Sequence, residues 1–399
     1  MPTSSPAATV DDTALVALAQ ALARTSSVSG TEEAAVRTVA EAMTDLGFDE
    51  VRIDGSGNVI GVMGDGPGPR LLIDGHIDSI PLHSEDRWTV DPFGGDIVDG
   101  RLYGLGICDQ KASIAAAAHG VAAEAATAPF AGSVAVVASV GEEAMEGLAL
   151  REAIEWFEPT AVITSEPNDT QLAIGQRGRA KAWVRVIGRA CHAGHAAVGL
   201  NAAEALAALI GEARAVEHPT HPDLGVRDLT CIDIATWPFP SVSTVPGRAE
   251  ARFDCRFLPG ETPASIVDLL TACGQRAWAD WPEQPGLEVG LVEATFTTWT
   301  GRTLVGEEFA AAWWTSEDSE LVQAATAALV DAGLDPTPTH YDFCTNGSLT
   351  AGELGIPTIG FGVGVESMAH QVDEHVTLDS LRAGARGYAA IARHVTGAA

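Results

Sequence analysis

Lysine is almost absent from this chain of 399 residues: only Lys111 and Lys181 carry it. Lys plus Arg total 23 against 54 Asp plus Glu, a formal charge of −31. That balance argues against an electropositive nucleic-acid groove. It suits a surface that gathers cations. The six cysteines (108, 191, 231, 255, 273 and 344) include no C-x-x-C pair. A disulfide framework is therefore not expected, and a reducing compartment is. No run of about 18 apolar residues suggests a membrane span. The first residues, MPTSSPAATVDD, lack a basic start followed by an apolar core, so no signal peptide is read. A soluble cytoplasmic protein is the expectation. A G-x-S-x-G elbow is missing, which disfavours a serine hydrolase. GLG at 104–106 and GFGVG at 360–364 do not open a helix within a βαβ unit, so neither reads as a dinucleotide loop.

What is present is a 46% hydrophobic chain of two-domain length. DTALVALAQALAR has helical periodicity, and Ser29 and Glu32 are spaced as a capping box for the helix after them. VRIDGSGNVIGVMG reads as a hairpin. RLLIDGHID, GSVAVVASVGEE and TAVITSEP read as strands alternating with helices, which predicts an α/β sheet with helices on both faces. After GQRG the texture changes to strand–helix–strand–strand–helix–strand, with LEVGLVEATF as its last strand. That order predicts an inserted α+β, ferredoxin-like domain. The expected organisation is a discontinuous catalytic domain of mixed, mostly parallel sheet at 1–178 and 296–399, with the insert at 179–295.

Metal-competent side chains recur at the ends of the predicted parallel strands, where open α/β sheets bind ligands. His76 and Asp78 follow RLLID. Asp109 follows a Gly-rich turn. Glu142 and Glu143 follow VAVVASV, Glu166 follows AVITS, and His370 and His375 follow TIGFGVG. His76 and Asp78 are two apart and point the same way on an extended backbone. One could bind metal while the other holds its ring. An isolated H-x-D is more often a surface pair, and adjacent glutamates are usually solvated; the apolar strands before them argue otherwise. Of Glu142 and Glu143, one can bind metal and the other take a proton from water. Glu146 reads as a surface acid.

In order, GHIDSIP, YGLGICDQK, GEE, SEP, GRACHAGHAAVGLNA and AHQVDEHV form a series that resembles the two-zinc family of acetylornithine deacetylase, succinyl-diaminopimelate desuccinylase, aminoacylase and glutamate carboxypeptidase, metallopeptidase family M20. DQK, GQRGR and TNG…LGIPTIGFG look closest to its subgroup of hydrolases linked to selenium metabolism. The resemblance implies that His76, Asp109 and Glu166 hold one zinc and Asp109, Glu143 and His370 the other. It selects His370 over His375. It implies that Asp78 orients His76 and that Glu142 is the general base. His192 would reach the partner subunit's site in a homodimer formed through the lid, and Arg256 would meet a substrate carboxylate. Asn201, Asn346 and Gly347 are its substrate-binding candidates.

The N and O donors suit two zinc ions, with cobalt or manganese as substitutes. The expected activity is hydrolysis of an amide bond beside a carboxylate in a small molecule. N-acyl amino acid deacylation leads; dipeptide or carboxypeptide cleavage and N-carbamoyl hydrolysis are alternatives. A Cys191 nucleophile would sit in the insert, away from the carboxylates. A non-catalytic metal-binding protein would have no need of Glu142.

Overall fold

The computed structural model describes residues 9–398. Its main sheet has nine strands. In chain order the elements that build it are α1 (Asp12–Ala23), α2 (Glu33–Asp45), β1 (Glu50–Ile53), β2 (Val59–Met63), β3 (Arg70–His76), α3 (Ala112–Ala125), β4 (Ser133–Ser139), α4 (Arg151–Phe157), β5 (Ala161–Thr164) and β6 (Leu172–Gln176). After the inserted domain come β14 (Trp313–Trp314), α7 (Glu320–Asp331), β15 (Pro338–Tyr341), β16 (Thr358–Gly360) and α8 (Leu378–Thr396). The strand order is β1-β2-β4-β3-β5-β16-β6-β14, with β15 beside β6. The centre, β4-β3-β5-β16, is parallel. The margins carry the antiparallel pairs, including the β1–β2 hairpin.

Central strands are buried on both faces, as parallel strands between helices must be. Every residue of β4 is buried. Val134, Val136 and Ala138 pack with α1, α2, α3, α7 and α8. The alternate residues, Ala135 and Val137, pack with Ile154 and Phe157 of α4 on the opposite face. Asp11 caps α1 through backbone N–H groups of Thr13 and Ala14. The capping box expected at Ser29 and Glu32 does not form. Helix α2 begins one residue after Glu32, with no side-chain cap. The Ser29 hydroxyl donates to the Asp78 carboxylate at 2.7 Å, and Glu32 accepts from the Gly30 N–H. The hydroxyl is turned toward the buried Asp78 carboxylate, a long-range acceptor that local spacing does not show.

The inserted lid contains β7 (Gly178–Ile187), α5 (Ala202–Ala215), β8 (Asp228–Trp237), β9 (Arg248–Phe257), α6 (Pro263–Ala277) and β10 (Gly286–Leu291). Its sheet runs β8-β9-β7-β10, antiparallel throughout. Burial alternates strictly along most of β7. The inward set packs against Leu206 and Leu209 of α5 and Ile266 and Leu270 of α6 in a core of its own. The outward set faces away from the helices.

LEVGLVEATF is not one strand. It breaks at Val292, whose N–H donates to the Lys181 carbonyl and whose own carbonyl accepts from Glu308. Beyond the break β11 (Glu293–Thr297) and β12 (Thr303–Glu307) form a separate hairpin, and β13 (Phe309–Ala310) rejoins β7. The hairpin leans on the catalytic body: the Trp299 indole donates to the Gly57 carbonyl. No described helix is long and apolar enough to cross a membrane.

Candidate active site

Strand β3 ends in His76, which is 1% exposed. Its Nε2 lies 3.0 Å from Asp109 Oδ1 and 3.9 Å from Glu142 Oε2. Its Nδ1 hydrogen-bonds the Asp78 backbone carbonyl at 3.0 Å, while the Asp78 carboxylate stands 3.6 Å away. That carboxylate has other work. It accepts from Ser29 and from the backbone N–H groups of Glu142 and Glu143, both at 3.1 Å. Asp78 thus fixes the turn that carries both glutamates. Gly141 enters that turn at φ +69, and a Cβ there would sit 2.2 Å from the Phe296 ring. Glycine meets both demands.

Asp109 lies in the one-turn segment Ile107–Lys111, which is held by Glu374. The buried Glu374 carboxylate accepts backbone N–H groups of Gly106, Cys108 and Asp109. Burial raises its pKa to about 8. Glu166 follows β5 and is 2% exposed. The nearby GFGVG segment earns its glycine at 362 by contact, since a Cβ there would fall 2.1 Å from the Glu166 carbonyl. His370 Nε2 lies 2.8 Å from Glu143 Oε1 and 3.4 Å from Asp109 Oδ2. Its backbone is left-handed, φ 59, a conformation that non-glycine residues adopt at constrained sites. His375 points elsewhere, with Nδ1 on the Asp373 carbonyl and its ring against Tyr103.

The six side chains of His76, Asp109, Glu142, Glu143, Glu166 and His370 therefore line one cavity of about 340 Å³ with Arg256, Arg179, Glu146, Phe343, Cys344, Glu366 and Ala369. Burial raises the pKa values of Glu142 and Glu166 well above the carboxylate range, and neighbouring carboxylates add to it. Burial also raises Glu143. Burial alone would depress His76, but Asp109, Glu142 and Glu166 overcome it and hold the imidazole well above its usual value. For Asp109, burial opposes ionisation, and the two imidazoles outweigh it.

This donor set fits divalent cations. Buried like charges stand together, and Glu142 Oε1 has no hydrogen-bond partner. His76, Asp109 and Glu143 offer ligand atoms within 4.8 Å of one another, and so do His76, Glu142 and Glu166. The second grouping places Glu142 among possible ligands, in competition with its expected role as base.

Other expected residues lie outside the cavity lining. Asn201 caps α5, its side-chain oxygen accepting from Ala203 and Glu204. Asn346 donates to Asp74 at 2.8 Å and to Ser139 at 3.2 Å, and accepts from the Gly147 N–H at 2.6 Å. All its polar atoms brace the scaffold. This amide holds one oxygen of the buried Asp74, whose pKa burial raises to about 6. Gly347 is packed against Trp313, 2.6 Å from a hypothetical Cβ. His192 is exposed in the lid, where its Nδ1 accepts from Gly194. Cys191 is likewise outside the cavity lining. Glu146 is not a surface acid: its side chain is 16% exposed and pairs with Arg179 at 2.5 Å. Arg179 was overlooked by motif reading. Its signal was strand alternation in GRAKAWVR, which puts it on the outward face of β7.

A donor set of this kind, at the carboxyl ends of parallel strands beneath an antiparallel lid, defines a metallohydrolase. The family follows from the sequence itself: residues 72–394 match Peptidase family M20/M25/M40, and the chain belongs to it. It is 31% identical over 367 residues to the uncharacterized protein YgeY of Escherichia coli K12, covering 90% of this chain and 89% of that one. It is 31% identical over 322 residues to succinyl-diaminopimelate desuccinylase of Rhodospirillum centenum, covering 72% and 82%. The fold matches the YXEP protein of Bacillus subtilis, a dinuclear metal binding peptidase of family M20, at TM-score 0.72 and 14% identity, covering 96% and 98%.

Proposed function

We propose that the chain is a two-zinc hydrolase that cleaves an amide bond beside a carboxylate, with N-acyl amino acids as its substrates. His76, Asp109 and Glu166 would hold one ion and Asp109, Glu143 and His370 the other. Bound there, the ions would polarise a carbonyl and acidify water. The chain's own residues do the rest. Asp78 fixes the Glu142–Glu143 turn through two backbone N–H groups. Glu142 takes a proton from the attacking water and gives it to the leaving nitrogen. Arg256 meets the substrate carboxylate. The observation that carries this reading is the free, buried Oε1 of Glu142 in a cavity where Asp109 and Glu143 pair with the histidines.

His192 would donate to the developing oxyanion of a partner subunit's site. Its absence from the lining of its own cavity supports action in trans. The edge strand β8 and the loop after it supply a surface for that partner. Ile232 and Ile234 are more than half exposed, and Phe239 and Val242 are 84% exposed. Such an edge is a template for pairing. Mixing His192→Ala with Glu142→Ala chains should restore some turnover; confirmed heterodimers without any would contradict the trans role.

The desuccinylase relative supports deacylation, and the YXEP peptidase supports a peptide substrate. A screen of N-acyl amino acids, dipeptides and N-carbamoyl amino acids with zinc-loaded protein separates them. Deacylation requires the first class to be turned over fastest. Turnover confined to dipeptides would replace it with the peptidase reading.

A further inference from the structure

Arg179 and Arg256 stand directly opposite each other on β7 and β9. Both belong to the outward face of the lid sheet, and both line the active-site cavity. Like charges in directly opposed positions of a sheet repel unless anions sit between or beside them. Among the described residues each arginine pairs with one carboxylate, and the two partners differ in kind. Arg256 holds Asp254 at 2.9 Å, a neighbour two residues back on its own strand. Arg179 holds Glu146, which comes from the catalytic domain, four residues beyond Glu142. Glu146 and Arg179 are also the two residues shared by the active-site cavity and a second cleft of about 510 Å³ between the domains. That cleft is lined further by Met145, Leu148, Arg151 and Phe309. The pair is therefore the partition between the two spaces. If Glu146 swings away from Arg179, it has room on the far side, where Arg151, paired with Glu353 at 2.7 Å, stands on a wall that also carries Glu261, Glu307 and Glu308.

We propose that Arg179 and Arg256 form a two-guanidinium subsite for a substrate bearing a second anionic group, and that Glu146 holds the place of that group until the substrate displaces it into the inter-domain cleft. The inference rests on the reading of the cavity as an amide hydrolase site and narrows its substrates to dianions. Arg256 takes the carboxylate beside the scissile bond. Arg179 takes the second one, by a charge-assisted and bidentate contact of the kind arginine makes with carboxylates. Arg179 is a specificity-determining residue.

Binding tests this without turnover. Glutarate and its monoamide, glutaramate, differ by one charge at nearly constant size. Calorimetry on the zinc-loaded protein should show glutarate about tenfold or more tighter. Arg179→Gln should bring the two within about twofold, Arg179→Lys should keep part of the preference, and Glu146→Gln should widen it by freeing Arg179. The ratio cancels general damage to the protein. Equal affinities in the wild type, or a preference that survives Arg179→Gln, would overturn the proposal. The corresponding hydrolytic pair is N-acetylglutamate and N-acetylglutamine. If neither of these, nor any dipeptide or N-carbamoyl amino acid, is cleaved while the binding ratio behaves as stated, the hydrolase reading fails and the dianion subsite stands.

Discussion

On the lid, acids and bases are matched at a wet surface: Arg185 with Glu250 and Glu288 across strands, Lys181 with Glu308, and Arg189 with Glu283 through both terminal guanidinium nitrogens. In the catalytic cavity four buried or half-buried carboxylates, Asp109, Glu142, Glu143 and Glu166, share two imidazoles, and no described Lys or Arg pairs with any of them. Exposed pairs are individually weak. Buried acids without counter-ions are costly. A fold that retains them at the ends of its central strands has a use for the field they make. The same two charge types thus mark a solubility surface in one domain and a cation site in the other.

The largest effect that could break this contrast is metal removal. Prolonged chelation should abolish turnover, and zinc or cobalt should restore it; full activity in demonstrably metal-free protein would remove the basis of the comparison. Next in size is Asp78→Ala, which strips acceptors from Ser29, Glu142 and Glu143. Turnover should fall by about 10²-fold, the scale of a misplaced catalytic group. Rates on a stopped-flow or discontinuous assay check it.

Two controls sharpen the contrast outside the cavity. Asn346→Ala leaves Asp74 Oδ2 and the Gly147 N–H without their partner and should lower stability by about 1–3 kcal/mol in denaturant unfolding. Glu32 is a buried acid away from the cavity lining, with burial raising its pKa to about 7 and Oε2 unpartnered. Because its folded pKa lies above the unfolded one, its ionisation removes stability as pH rises from about 4.5 to about 7. Glu32→Gln should therefore gain stability at pH 8 relative to pH 4.5 without changing metal content, read by melting curves at the two pH values. The smallest effect belongs to the lid surface: Arg189→Gln should leave the melting temperature unchanged, since the Arg189 and Glu283 side chains are both 53% exposed.

Much of this was legible in the sequence because it depends on short-range pattern. Apolar strands followed at once by His76, Glu142–Glu143 or Glu166 place those residues at one sheet edge, and the change of texture after GQRG marks the lid's succession of strands and helices. What was not legible depends on direction and competition. Asn346 lies near the site in space, but sequence does not say that its amide turns to Asp74 and the Gly147 N–H. Asn201 sits in a motif, yet its immediate task is helix capping. Ser29 has capping-box spacing, but Asp78, 49 residues away, claims its hydroxyl. Glu146 reads as a surface acid and Arg179 carries no motif, because each finds its partner in the other domain.

The central claim is that the buried carboxylates are ligands and that Glu142 alone among them is held back as the base. Metal content and turnover of Glu142→Ala, measured on the same sample, test it most directly. About two metal ions per chain with turnover reduced by about 10²–10⁴-fold is the predicted result. Turnover near wild type, or loss of one ion together with the side chain, would contradict it.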